Sequence, residues 1–232
     1  MSYFRRSKFY IMSENLSNAK SLTGFYAKNK KNIIIALSVV GVAVVGYLAY
    51  TFLYAGPREK SAEQALWRVE QWAEMDSMKW VLDGDGQSEG ALSIMESYSG
   101  TIAAKKAAYY AACAKRNAGD FQGALDLFKE VDFNDNTVGI QAIGNVGDMY
   151  AELGQLDDAA SWLEKAAKKA MSSSSKDALA PIYLMKAARV QLERKDNNKA
   201  IALLKDVVDN FKRTQEYSEA AKLMAMLEAQ TK

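Results

Sequence analysis

IGNVGDMYAELGQLDDAASWLEKA, from Ile143 to Ala166, is the stretch on which the reading of the whole chain turns. Gly147 and Gly154 stand seven residues apart, with Asp148 beside the first. Such a pair fits either a phosphate-cradling loop or two helices in close approach. A phosphate loop follows a strand and brings further glycines or a lysine beside its second glycine. Here both flanks carry helical periodicity, and Gly154 is followed by QLDDAA. We therefore read Gly147 as a close-contact position inside a first helix, Tyr150 as its packing partner and Gly154 as the turn into a second helix.

The same pattern recurs on both sides. NAGDFQGALDLFKEV (Asn117–Val131), ELGQLDDAASWLEKA (Glu152–Ala166) and ERKDNNKAIALLKDV (Glu193–Val207) share a turn, then a small residue, then a large apolar residue four later. Gly119 and Gly154 are 35 residues apart, and Ala124, Ala159 and Ala200 are 35 and 41 apart. Against a period of about 34 residues, the longer interval places an insertion around Ser172 to Ala178. The central unit resembles the tetratricopeptide repeat family. Ile143, Val146, Gly147, Tyr150, Gly154, Ala159, Leu163 and Ala166 match the family's pattern by type, with Met171 at the closing proline.

The first repeat keeps Ala108, Ala112, Gly119, Ala124 and Phe128 but has Lys115 at the aromatic place. The third keeps Leu184, Ala188, Ala200, Leu204 and Val207 but has Lys195 at the turn glycine. A more degenerate hairpin is expected before them, because Ala91 and Met95 stand 33 residues ahead of Ala124 and Phe128. A last helix, Gln215 to about Ala229, is expected to bury Tyr217, Ala220, Met224 and Leu227 and cap the stack.

Composition fits this architecture. The 232 residues are 49% hydrophobic and 25% charged, with two prolines and no histidine, so the commonest general base and zinc ligand is missing. Ile33 to Ala55 holds no charge over 23 residues, enough at about 1.5 Å per residue to cross a hydrocarbon core of about 30 Å. Tyr47, Tyr50 and Tyr54 gather at its C-terminal end, and Lys28, Lys30 and Lys31 crowd its N-terminal end, which predicts a cytoplasmic N-terminus. The stretch is longer than a signal-peptide core, and LYAGP is a poor cleavage site. Met12 is an alternative start that leaves this topology unchanged. The residues after 32 carry a net charge of −4, which argues against nucleic acid as a partner.

The expected fold is all-α: one N-terminal transmembrane helix, then an α-solenoid of about four tetratricopeptide-like hairpins with a C-terminal capping helix. The expected segments are a basic tail (1–32), the span (33–55), a membrane-proximal helix and turn (56–89) and the repeat domain (90–232). The helix is expected to run from Arg58 to about Leu82 with Ala62, Ala65, Leu66, Val69, Trp72, Ala73 and Met75 on its apolar face. DGDGQSEG (Asp83–Gly90) begins like a calcium loop but has Ser88 where glycine is needed and Ile94 where the bidentate glutamate belongs, so it reads as a turn. Cys113, the single cysteine, reads as a packing residue on a face of small side chains.

Carrying the family geometry over, the groove is expected to be lined by Tyr109, Cys113 and Arg116, by Gly144, Asp148 and Glu152, and by Met185, Arg189 and Leu192. Asp148 is expected to meet a partner or the neighbouring Arg189. The family's carboxylate clamp needs asparagine where Cys113 stands and a basic residue where Tyr109 and Ile182 stand, so chaperone C-terminal tails are not the expected ligand. No catalytic, cofactor or metal residue is expected, and the carboxylates Asp148, Glu152, Asp157 and Asp158 are read as structural or groove groups.

The lysine-rich FYAKNKK (Phe25–Lys31), the span and YSGTIAAKKAAYYAACAKRNAGDFQGALDLF (Tyr98–Phe128) together resemble the membrane-anchored ancillary subunits of the bacterial SecYEG translocon, the YfgM-like family. That resemblance implies a single-pass inner-membrane protein with a periplasmic body, working among chaperones beside a membrane-anchored prolyl isomerase-like partner. A scaffold for another envelope-assembly or secretion complex, and a cytosol-facing organelle receptor, are the alternatives.

Overall fold

The computed structural model describes residues 3–131, 133 and 137–230, with side chains from residue 26 to 229 of that set. Contacts divide the chain into two units, Met1–Pro57 and Arg58–Lys232.

The first unit is helix α1 (Tyr3–Tyr50) and one π-helical turn, Thr51–Ala55, closed by the Gly56 N–H donating to the carbonyl of Thr51. It contains a stretch long and apolar enough to cross a membrane, none of it buried against protein. The stretch has two hydroxyl side chains besides its tyrosines, and both bond to the backbone. Ser38 Oγ donates to the carbonyl of Ile34 at 2.8 Å, and Thr51 Oγ1 to that of Leu48 at 2.9 Å. A spanning helix must satisfy its polar groups in this internal way.

In the second unit the elements are α2 (Gly56–Glu74, its first two residues before the boundary), α3 (Met78–Asp83), α4 (Ala91–Ser97), α5 (Ile102–Asn117), α6 (Phe121–Glu130), α7 (Val138–Glu152), α8 (Leu156–Met171), α9 (Lys176–Glu193), α10 (Asn197–Asn210) and α11 (Glu216–Gln230). No strand occurs among the described residues. The expected all-α stack of hairpins is the observed one: α5 with α6, α7 with α8, α9 with α10, and α11 closing the end with Ala220 and Leu227 buried. Tyr217 and Met224 of that last helix are half-buried.

The hairpin ahead of them differs from expectation. The helix expected to reach Leu82 stops at Glu74, because Asp76 takes a left-handed φ of 55° and the Ser77 N–H turns back to the Trp72 carbonyl at 2.8 Å. Met75 therefore points away from the core and is 61% exposed. Val81 of the separate α3 enters the core in its place, with Ala62, Leu66, Val69 and Trp72 of α2, Ala91 and Ile94 of α4, and Ala103, Ala107, Ala111 and Ala114 of α5. Asp83–Gly90 is a turn: Asp85 Oδ1 accepts from the N–H groups of Ser88 at 2.7 Å and Gln87 at 2.9 Å, which hold its carboxyl below the usual range.

Alanines let α5 sit between two hairpins. One stripe, Ala103–Ala107–Ala111, faces α2 to α4, while Ala108 and Ala112 face α6 and α7, with Phe128, Ala142 and Val146. Small residues do the same between α7 and α8, where a Cβ on Gly147 would meet Leu163 Cγ at 2.7 Å. Leu163 is 1% exposed, a position where truncation to alanine costs about 2–5 kcal/mol.

The three hairpin turns share one backbone. Gly119, Gly154 and Lys195 all have positive φ, at 80°, 73° and 63°. At each, the next residue's N–H reaches five back: Asp120 to Lys115 at 3.0 Å, Gln155 to Tyr150 at 2.9 Å and Asp196 to Gln191 at 2.9 Å. Asp120 and Asp196 then cap the following helix through Oδ1, accepting from Gly123 and Lys199, whereas Gln155 makes no side-chain cap. The expected insertion near Ser172 is not an extra loop. The chain there has only a short link between α8 and α9, and the added residues lengthen the helices: α8 has 16 residues against 10 in α6, and α9 has 18 against 15 in α7.

Candidate protein-binding face

The first helices of successive hairpins, α2, α5, α7 and α9, and the closing helix α11 carry side chains that meet across one face. Polar contacts join neighbours along it. Asn145 Nδ2 of α7 donates to the Tyr109 hydroxyl of α5 at 3.3 Å, Lys186 Nζ of α9 pairs with Asp148 of α7 at 2.6 Å, and Arg189 of α9 pairs with Glu219 of α11 at 2.6 Å. The expected Asp148–Arg189 pairing is thus corrected. Lys186, three residues earlier on the same helix, reaches Asp148, and Arg189 turns toward α11 instead.

Two recesses open on this face. A cavity of about 240 Å³ lies between α9 and α11, walled by Ile182, Met185, Lys186 and Arg189 on one side and Gln215, Glu216 and Glu219 on the other. The second, about 210 Å³, lies among α2, α5 and α7, with Glu70, Lys106, Tyr109, Tyr110, Phe133, Val138 and Gln141 around it. Tyr109 packs edge-on to Phe128 and Phe133, with centroids 5.6 and 6.5 Å apart, so its ring is fixed as a wall. Burial raises the Tyr109 and Tyr110 hydroxyls above their ordinary range, and burial likewise raises the Cys113 thiol.

Of the residues expected to line a groove, the structure puts Tyr109 in the second recess and Met185 and Arg189 in the first, Met185 being itself buried. Cys113 is half-buried beside Tyr109 and Phe128, Arg116 is half-buried, Glu152 is exposed, and Asp148 lines neither recess but pairs with Lys186, a wall of the first. Gly144 lines nothing. It is covered by the Tyr183 ring, into which a Cβ at 144 would run. Leu192 packs on the core of the last hairpins.

Tyr183 and Gln191 are among the residues that escaped the sequence reading. Tyr183, 5% exposed, has its hydroxyl raised far above the usual range by burial and then by the Asp148 charge. Gln191, 1% exposed, donates to Glu164 of α8 and accepts from Arg194, both at 2.7 Å, and Arg194 also pairs with Asp157. The spacing of Gly144, three residues before Gly147, was the available sign that a second helix also presses on α7. Among the described residues, no three histidine, cysteine or carboxylate side chains gather to hold a metal.

No protein-family model matches the chain, and no curated protein matches it either. The fold has solved counterparts. A Podospora anserina chain described as a kinesin light chain with nearly identical TPR-like repeats superposes with a TM-score of 0.55 at 12% identity, covering 75% of this chain and 87% of that one. BtubC (BKLC) from P. vanneervenii gives a TM-score of 0.47 at 14% identity, over 77% and 67%. The first of these likenesses, with the stacked hairpins, makes the body a tetratricopeptide-like solenoid.

Proposed function

We propose that this chain is a membrane-anchored scaffold that binds other proteins on the face made by α2, α5, α7, α9 and α11, and that it serves in the periplasm as an ancillary component of the Sec translocon. The observation that carries the binding reading is the pair of recesses on that face, each walled by apolar and charged side chains from more than one helix. A solenoid offers such a surface for an extended chain or a partner's loop. The anchoring reading is supported by the uncharged stretch 33–55 with its internally bonded hydroxyls. The lysines before it support a cytoplasmic N-terminus, and the likeness of Phe25–Lys31 and Tyr98–Phe128 to translocon ancillary subunits supports the partner assignment.

A photo-crosslinking residue at Ile182 or Glu152, compared with one at Gln122 on α6, tests the face and the partner together. Adducts with translocon or chaperone subunits from 182 and 152, but not from 122, are expected. Equal yields from all three positions refute a specific face, and adducts with another envelope complex replace the translocon assignment. Protease added outside the inner membrane should digest the body in permeabilised cells; protection there refutes the periplasmic placement.

A further inference from the structure

Glu59 stands four residues after Ala55, the end of the apolar stretch, and four residues of chain reach at most about 14 Å in any conformation. Its carboxylate accepts from the N–H groups of Ile102 at 2.9 Å and Ala103 at 2.8 Å, while Arg58 Nη2 donates to the Ser97 carbonyl at 3.1 Å. Two adjacent side chains thus grip both ends of the turn Ser97–Ile102. A stretch more than forty positions along the chain is held to the first residues that follow the span.

That turn has an unusual tip. Ile102 is 61% exposed although it opens a helix whose alanines are among the most buried residues in the molecule. Thr101 explains the geometry: its Oγ1 accepts from the Ala104 N–H at 3.0 Å and donates to the Tyr98 carbonyl at 2.7 Å, which locks the helix start and turns Ile102 outward. Tyr98 is half-buried, Ser99 and Gly100 are exposed, and so are Lys60 beside Glu59, Lys105 three residues after Ile102, and Glu96. An apolar tip, an adjacent tyrosine and flanking lysines are the side chains that settle at a lipid–water boundary, a zone about 5–7 Å deep on each side of the hydrocarbon.

We propose that the Tyr98–Ile102 turn is an interfacial foot of the body, with the Ile102 side chain seated in the headgroup–acyl boundary of the membrane that holds the chain. This rests on the anchoring proposed above.

The full chain, carrying Cys113→Ala, receives one cysteine at a time, Ile102→Cys, Gln155→Cys or Val42→Cys, labelled with an environment-sensitive fluorophore. It is reconstituted in phosphatidylcholine–phosphatidylglycerol vesicles with brominated acyl chains. Several-fold stronger quenching at 102 than at 155 is expected, with a blue-shifted emission. Quenching at 102 no greater than at 155 overturns the foot, and so does a blue shift without quenching, which would show that protein rather than lipid covers Ile102. Strong quenching at 42 shows that the span is in the bilayer; its loss there would refute the anchoring itself and not only the foot.

Discussion

The Tyr183 ring of α9 lies on Gly144 of α7, in the space where any other residue would place its Cβ. The contact joins the second hairpin to the third, and it exists only because both residues are what they are. Gly144→Ala forces the ring or the helix to move, and overpacking of this kind costs about 1–3 kcal/mol. All four tryptophans, Trp67, Trp72, Trp80 and Trp162, lie in the body, so tryptophan fluorescence of the detergent-solubilised chain in urea follows the body alone. Adding Tyr183→Ala to Gly144→Ala should recover part of the loss relative to the sum of the single changes. Strict additivity would mean that the two residues do not press on each other.

Lys195 carries the glycine's job in the third turn without being a glycine. A left-handed conformation costs a non-glycine residue about 1–2 kcal/mol, partly offset by the extra entropy glycine loses on folding. Lys195→Gly is therefore expected to raise stability by about 0.5–1 kcal/mol, and Gly154→Ala to lower it by a similar amount. Gln155→Asp would add the cap that Asp120 and Asp196 already provide, for a further gain of about 0.5–1 kcal/mol. Urea midpoints of the three variants check all of this.

These turns show why the hairpins were legible in the sequence. A glycine, a capping carboxylate and a small residue are local requirements, and they leave a local pattern even where Lys195 breaks it. The Gly147–Leu163 contact was readable for the same reason, since its partners are 16 residues apart within one hairpin. The end of α2 was not readable. Its apolar spacing runs on through Met75, and only the positive φ at Asp76, an ordinary surface residue, stops it. Tyr183 and Gln191 act between hairpins, where the partner's position depends on how the stack coils, and periodicity says nothing about that. The groove suffered likewise: family offsets named Gly144 as lining, but the offset cannot know that Tyr183 fills the place.

The Asp148–Lys186 pair crosses from α7 to α9 with its side chains 26% and 37% exposed. Water and salt screen such a pair, so its net worth is about 1 kcal/mol or less. Asp148→Asn is expected to shift the urea midpoint slightly at low salt and not at all in high salt. Because Lys186 walls the same recess as Ile182, the same substitution should change crosslinking yield at Ile182 far more than it changes stability. A large, salt-independent loss of stability would instead make the pair a structural tie.

Alkaline pH offers a test of how deeply Tyr183 is held. In the unfolded chain its hydroxyl titrates near an ordinary value of about 10. In the folded body, burial first and the Asp148 charge second push it far above that. Below about pH 10 the hydroxyl is protonated in both states, and its contribution is intact. As pH rises further, the unfolded chain gains the ionised form while the folded one does not, so stability falls by up to about 1.4 kcal/mol per pH unit for this group. Tyr183→Phe keeps the ring over Gly144 and removes the titration. Urea unfolding of the two chains between about pH 9 and about pH 11 should diverge, with the phenylalanine variant losing less. Tyr109 and Tyr110, also raised by burial, are present in both chains and cancel. Parallel pH profiles would show that the hydroxyl of Tyr183 reaches water in the folded protein.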